Sequence, residues 1–181
     1  NYLDTETSKI DRKISILEQK YKKLEEYKQS VIFETVTKGL NSNVAMKYSG
    51  IDWIGDIPAH WEILRLKDSS IIKKGESFDE KLASEDGIYP YINGGINPSD
   101  WSNHFNTKAN TIAVSEGGAS AGYTQFMTTK YWAGSHCYKI QSKNKMSDNK
   151  YLFYVLKGFE KYLMIEKTGS AMPNLQKTKF I

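Results

Sequence analysis

The feature that most constrains this chain is a long amphipathic pattern near its start. Apolar side chains recur at alternating steps of four and three residues, which is the spacing of a coiled-coil helix. These seam residues are Ile10, Ile14, Leu17, Tyr21, Leu24 and Val31. Most other positions from Ser8 to Lys38 are polar or charged, so burial on all sides is excluded. The sequence predicts a helix over 8–38, about 46 Å long, whose apolar face requires a partner; the alternative is packing on the chain's own domain.

The ends and the middle of this helix carry further signals. Ser8, with Asp11 three residues later, is typical of an N-terminal cap. Gly39 is typical of the left-handed residue that ends a helix, and Leu40 is then expected to pack back on the last turn. Lys28 interrupts the seam, and a single polar residue there commonly fixes the register or orientation of pairing.

Cysteine content, hydropathy and charge limit the class of protein. The single Cys137 excludes an internal disulfide and favours a reducing compartment, for which we expect the cytoplasm. No apolar run approaches the roughly 20 residues of a membrane span, so we expect no membrane partner. The net charge of +4 allows nucleic-acid binding without requiring it. Asn1 is not an initiator methionine, so we expect a chain trimmed from something longer.

Beyond residue 62 the pattern changes to short apolar runs separated by turn residues. The runs predicted as strands span 63–67, 71–74, 88–92, 111–115, 123–128 and 136–141. One more helix is predicted over 148–167 with Ser147 as its cap, although Gly158 inside it costs about 1 kcal/mol. The predicted fold class is α+β, with a long N-terminal coiled-coil-type helix followed by a mixed α/β domain.

Residue types used in catalysis and metal binding form no recognisable pattern. The three histidines have no partner at metal-ligand spacing, so no metal site is expected. The glycine-rich stretches 93–95 and 115–123 lack the lysine directly followed by Ser or Thr that completes a phosphate-binding loop. For an enzyme, the nearest candidate pair is Glu116 with His136, and nothing in the sequence connects them.

Two loops of small and polar residues, 115–123 and 168–175, would let the backbone approach a ligand closely, with side chains suited to base edges. A tight hairpin is the alternative for the first loop. Lys73 and Lys74 suit a phosphate contact, with an ordinary solvated turn as the alternative. Aromatic residues among lysines suit nucleic acid, although most aromatic side chains are expected in the core.

Several segments together resemble a known family. The helix segments TSKID (7–11), LEEYKQSVI (24–32) and ETVTKGL (34–40) are similar to the spacer helix of the specificity subunits of type I restriction-modification enzymes. MKYSGIDWIGDIPAHWE (46–62) resembles the start of a target recognition domain in that family, and GSAMPNL (169–175) resembles the segment that closes one. The stretch between these motifs is the variable part of such domains and matches only in character.

The resemblance implies a spacer helix and linker over 1–46 and a DNA-binding target recognition domain over 47–181, together one half of a specificity subunit. It implies recognition of a split target in double-stranded DNA without catalysis by this chain. The implied partners are methyltransferase (modification) subunits, a restriction subunit, and either the other half of the specificity subunit or a second copy paired antiparallel through the seam residues. The chain itself would hold no cofactor, because S-adenosylmethionine, ATP and magnesium would bind the partner subunits.

The residues expected to contact DNA are polar, basic or aromatic side chains of the loops between strands. They are Lys73, Lys74, Asn93, Ser115, Glu116, Ser120, Tyr123, Gln125, Lys130, Trp132, His136, Ser170 and Asn174. Two other functions stay open: a coiled-coil module for protein interaction or dimerisation, and the recognition domain of a single-chain restriction-methylation enzyme.

Overall fold

The computed structural model describes residues 2–143 and 148–161, and its first element is one long helix. Helix α1 spans Tyr2–Lys38, about 55 Å at 1.5 Å per residue. It begins before Ser8, whose hydroxyl donates to the Asp4 carbonyl at 2.7 Å. The predicted start at Ser8 is therefore wrong, because this hydroxyl bonds back to the preceding turn of a helix that is already formed.

The other end of α1 is where the sequence predicts it. Gly39 has φ +76°, and its backbone N–H donates to the Thr35 carbonyl at 3.0 Å. The expected packing of Leu40 is wrong, since that side chain is 93% exposed. The Trp61 ring lies beside Gly39 instead, since a Cβ on Gly39 would be 3.3 Å from Cζ2 of that ring.

The remaining described residues form the predicted α+β domain. Its strands are β1 Met46–Tyr48, β2 Asp56–Pro58, β3 Ser70–Lys74, β4 Tyr89–Ile92, β5 Asp100–Ser102, β6 Thr111–Ser115, β7 Thr124–Met127, β8 Trp132–Ala133 and β9 Cys137–Ser142. Its α-helices are α2 Leu66–Ser69 and α3 Asn149–Gly158, and a 3-10 helix spans Glu80–Leu82.

Two sheets and a hairpin organise these strands. The four-stranded sheet has the order β3-β9-β6-β7, and each neighbouring pair is antiparallel. The three-stranded sheet has the order β5-β4-β8, with β4 antiparallel to β5 and parallel to β8. Strands β1 and β2 form a separate antiparallel pair close to the end of α1.

The core lies on both faces of β6, which is buried along its whole length. On one face, Ile112 and Val114 pack with Leu152 and Leu156 of α3. On the other face, Ala113 belongs to a second cluster that includes residues of the three-stranded sheet. The domain thus has three layers, with α3 and the three-stranded sheet on opposite faces of the four-stranded sheet.

Five of the six predicted strands are present, four of them with slightly shifted ends, and one is absent. Residues 61–65 are irregular and lead into α2. Ile63 and Leu64 are 48% and 62% exposed, so this apolar run does not enter a ladder and the prediction of a strand over 63–67 is wrong. The unpredicted strands β1, β2, β5 and β8 have only two or three residues each, too few to show an alternating pattern.

Helix α3 lies within the predicted range 148–167. Its N-cap is Asp148, whose side chain accepts from the Lys150 N–H at 3.0 Å; the proposed cap Ser147 lies outside the described residues. The helix ends at Gly158, residues 160–161 are again helical, and the predicted end at 167 lies outside the described residues.

Helix α1 joins the domain through its last turns and the end of α3. The Phe159 ring contacts Phe33 edge-to-face with centroids 5.6 Å apart, and contacts Trp53 in the same manner at 4.9 Å. A Cβ on Gly158 would lie 3.1 Å from Cγ2 of the buried Val36. The glycine that weakens α3 as a helix is therefore the residue that permits close approach of α1.

Candidate nucleic-acid interface

Many of the predicted contact residues meet at one end of the four-stranded sheet, where β3 and β6 end and β7 and β9 begin. The register there pairs Lys74 with Tyr138 and Ser115 with Cys137. The predicted residues at this sheet end are Lys74, Asn93, Ser115, Glu116, Ser120, Tyr123 and His136. Residues that are distant in sequence become neighbours because the antiparallel order brings these strand ends together.

A carboxylate is at the centre of the sheet end. Glu116 Oε1 lies 2.9 Å from Lys74 Nζ and accepts from the Tyr138 hydroxyl at 2.9 Å. Glu116 Oε2 lies 3.8 Å from His136 Nδ1. We call Lys74, Glu116, His136 and Tyr138 the Glu116 cluster. The pair Glu116 and His136, which the sequence could not connect, is thus brought together, and Tyr138 is a member that sequence reasoning missed.

The glycine-rich loops beside this cluster are held by internal hydrogen bonds. The hydroxyls of Ser115 and Ser120 both donate to the Gly94 carbonyl, the latter at 2.6 Å. Asn93 Oδ1 accepts from the His136 backbone N–H at 3.1 Å. Ser115 is also buried, so these polar groups shape the loops and are committed to partners within the chain.

The predicted pair of phosphate-binding lysines is divided by the geometry of β3. Successive side chains of a strand point to opposite faces, so Lys73 does not accompany Lys74 into the Glu116 cluster. Its register partner is Lys139, and Lys139 Nζ lies 3.3 Å from Glu76 Oε1.

Tyr123 and Gln125 lie on the β7 side of the sheet. Lys157 Nζ lies 4.5 Å from the centroid of the Tyr123 ring and 2.7 Å from Glu160 Oε2. Gln125 is half-buried on β7, opposite Ala113. The contribution of α3 to this region was not predicted, because the pairing of Lys157 with Tyr123 depends on how the helix packs on the sheet.

Trp132 belongs to an aromatic group on the three-stranded sheet. The Phe78 ring stacks on Tyr91 with centroids 4.3 Å apart and contacts Trp132 edge-to-face at 5.4 Å. The Trp132 indole N–H donates to the Glu76 carbonyl at 3.2 Å. The parallel register of Tyr91 with Trp132 explains this grouping, and it could not be inferred from the spacing of the aromatics.

Lys130 lies over a second aromatic pair near the same sheet. Its Nζ is 4.3 Å from the centroid of Phe105 and 6.0 Å from that of Tyr89. Lys130 is exposed, so it presents a positive charge beside aromatic faces, a combination that suits nucleic acid. The two remaining predicted contacts, Ser170 and Asn174, lie outside the described residues.

The seam of α1 is open in the described chain. All six seam residues are exposed, from 42% for Val31 to 69% for Tyr21. The buried residues of the helix are Val36 and Thr37, at its domain end, so the seam does not pack on the described part of the domain. Lys28 lies 3.6 Å from Glu25 Oε1 of the same helix.

Metal and thiol chemistry receive little support at these positions. In residues 2–143 and 148–161, no group of three or more His, Cys, Asp or Glu side chains could hold a metal ion. Burial raises the pKa of Cys137 to about 12, so the thiol is protonated at neutral pH and is a poor nucleophile or ligand. No helix in the described part of the chain is long and apolar enough to cross a membrane.

Comparison with known proteins connects this geometry to a family. Residues 58–181, more than half of the chain, match the family model described as type I restriction modification DNA specificity domain. A Mycoplasma pneumoniae protein whose name assigns it as a type I specificity subunit is 34% identical over 106 residues, covering 58% of this chain and 28% of its own length. The specificity subunit of the type I restriction enzyme MjaVIII of Methanocaldococcus jannaschii is 31% identical over 136 residues, covering 68% and 31%.

Solved structures agree with these relatives. The type I restriction-modification S subunit of Mycoplasma genitalium superposes with a TM-score of 0.64 at 25% identity, covering 78% of this chain and 34% of its own. The HsdS subunit of Thermoanaerobacter tengcongensis shares the fold with a TM-score of 0.55 at 17% identity, covering 93% and 43%. The chain spans less than half the length of each of these relatives. This chain therefore belongs to the family of type I restriction modification DNA specificity domains.

Proposed function

We propose that this chain recognises one part of a split DNA target for a type I restriction-modification system. The observation that carries the proposal is the family match over 58–181, which includes the sheet end and its polar side chains. Lys74 and His136 are both largely exposed there, at 54% and 63% of their side chains. Long α1 would then hold the recognition domain at a fixed distance from a second one.

Recognition without catalysis is part of the proposal. The Glu116 carboxylate is already engaged by Lys74 and Tyr138, so the Glu116 and His136 pair is an ion cluster and not a free acid–base pair. The nearby hydroxyls of Ser115 and Ser120 bond to the Gly94 carbonyl, which leaves no activated nucleophile beside His136 among these residues. Methyl transfer with S-adenosylmethionine, and ATP- and magnesium-dependent steps, would belong to partner subunits.

The exposed seam of α1 supports a pairing role. Apolar side chains at coiled-coil spacing gain stability only when a second helix covers them. We propose that the partner is the other spacer helix of a specificity subunit, or a second copy of this chain in antiparallel orientation. The helix and its flanks would also bind the modification subunits, and the assembly would work in the cytoplasm.

Selection from randomised duplex DNA tests the proposal. The chain is mixed with modification subunits of its own system, and bound duplexes are recovered and sequenced. Enrichment of a short half-site, or of two half-sites at fixed spacing, is the expected result. Dimerisation of the chain without any sequence enrichment would contradict DNA recognition and favour a coiled-coil interaction module.

A further inference from the structure

We propose that Glu116 is a positioning residue that creates sequence discrimination by holding the Lys74 ammonium in place for a guanine edge. The inference rests on the proposed function, and it deepens it by assigning a base type and separate roles to two residues of the Glu116 cluster. Glu116 itself would not contact DNA.

The members of the Glu116 cluster differ in exposure to solvent. The Glu116 side chain is 13% exposed, whereas Lys74 and His136 are 54% and 63% exposed. The carboxylate thus lies beneath two cationic or polar groups that reach solvent. A ligand approaching the sheet end meets Lys74 and His136 first.

The backbone around Glu116 is fixed independently of its carboxylate. The Glu116 N–H donates to the His136 carbonyl at 2.9 Å, and the His136 N–H donates to Asn93 Oδ1 at 3.1 Å. The Tyr138 hydroxyl binds Glu116 Oε1 from the neighbouring strand. Because these contacts set the position of the carboxylate, the carboxylate can set the position of the flexible Lys74 side chain.

The chemistry of the ammonium group favours a base-edge contact. A lysine ammonium has three donors and no acceptor, and the Glu116 carboxylate at 2.9 Å uses one of them. The donors that remain suit the O6 and N7 acceptors that guanine presents in the major groove. An unrestrained lysine would lose side-chain entropy on binding a single geometry, whereas the ion pair has already restricted it.

The carboxylate also reduces attraction to DNA in general. Affinity that does not depend on sequence comes from cations near phosphates, and a negative charge beside Lys74 opposes it. The Glu116 carboxylate therefore weakens the attraction of the sheet end to any duplex, while it defines the geometry of the Lys74 contact with guanine. Loss of the carboxylate should therefore raise affinity for any duplex while lowering discrimination, a combination that loss of a purely structural contact would not produce.

The test uses Glu116→Gln in the assembly that contains modification subunits, with the selected half-site and an unrelated duplex as probes. Gln keeps an acceptor for Tyr138 but removes the ion pair. We expect binding to the unrelated duplex to become about threefold tighter at low salt. The slope of log K against log salt concentration should become steeper by up to about one. Discrimination is expected to fall roughly tenfold, at a guanine position of the half-site.

A charge-matched control is Glu76→Gln. Glu76 is 65% exposed and pairs with Lys139, not with Lys74. This substitution removes the same charge near the same end of the sheet but at an ion pair on the other face. Unrelated duplex should therefore bind no more weakly, and discrimination should stay unchanged. Lys74→Met is a second variant, and it keeps the Glu116 carboxylate. It should lose discrimination at the same guanine position. The double variant with Glu116→Gln should show no further loss of discrimination.

Weaker binding of Glu116→Gln to both probes, or unchanged discrimination in either Glu116→Gln or Lys74→Met, would overturn the positioning role while leaving the proposed function intact. A wild-type assembly that binds both probes equally would overturn the proposed function, and this inference with it.

Discussion

At the scale of single residues, the sheet end depends on backbone conformations that only glycine adopts easily. Gly94 has φ +88°, and a Cβ there would lie 2.6 Å from the His136 carbonyl oxygen. The Gly94 carbonyl also accepts from Ser115 and Ser120. This one residue therefore connects the loop after β4 to the loop after β6 and to the turn before β9.

Substitution of Gly94 by Ala should lower the free energy of unfolding by more than about 2 kcal/mol, because both backbone strain and a steric clash oppose it. Gly118→Ala is the matched control: Gly118 has φ +73°, but a Cβ there would meet nothing within 4 Å. It should cost only about 1 kcal/mol. Urea unfolding measures both values, and equal losses would show that the close packing of Gly94 does not matter.

Some residues at the sheet end could be predicted from sequence and others could not. Loop position and polarity identified Glu116, His136 and Lys74 as candidates. Their contacts depend on β3, β9 and β6 being neighbours in one sheet, which is a long-range property. The same limit explains why Tyr138 was missed: its hydroxyl acquires a role only when β9 lies beside β6.

At the scale of elements, periodicity was a reliable guide where the element was long or regularly spaced. The seam pattern predicted α1 and its end at Gly39, and five apolar runs predicted five strands. Local signals failed at the start of α1. Ser8 is a residue type typical of an N-cap, but its hydroxyl donates to the Asp4 carbonyl within the helix. They also failed at 63–67, where an apolar run has no strand partner.

The joint between α1 and α3 gives a prediction at this scale. Gly158→Leu places a large side chain against Val36, where even a Cβ would be only 3.1 Å from the valine methyl. We expect a loss of about 1 to 3 kcal/mol in the free energy of unfolding through overpacking.

Lys150→Leu adds the same side chain on an exposed position of α3 and should change stability by less than about 0.5 kcal/mol. Thermal and urea unfolding of both variants measures the difference. A Gly158→Leu chain as stable as the Lys150→Leu chain would show that close approach of α1 does not depend on this glycine.

At the scale of the whole molecule, the chain joins a long helix to an α+β domain. Helix α1 is about 55 Å long, and its seam residues are exposed. The contacts among Val36, Phe33, Gly158 and Phe159 fix how the helix is attached to the domain. The division at 1–46 and 47–181 remains a prediction, since contacts of α1 with α3 and β2 cross it.

We propose that the segment 47–181 carries the sequence preference and that α1 carries the assembly contacts. Exchange of 47–181 for the corresponding segment of another type I specificity subunit, followed by sequencing of methylated sites in cells that express the hybrid with its modification subunits, tests this most directly. We predict that one half of the modified target changes to that of the donor, while the other half stays the same. A modified target that stays the same after the exchange would show that 47–181 does not carry the sequence preference.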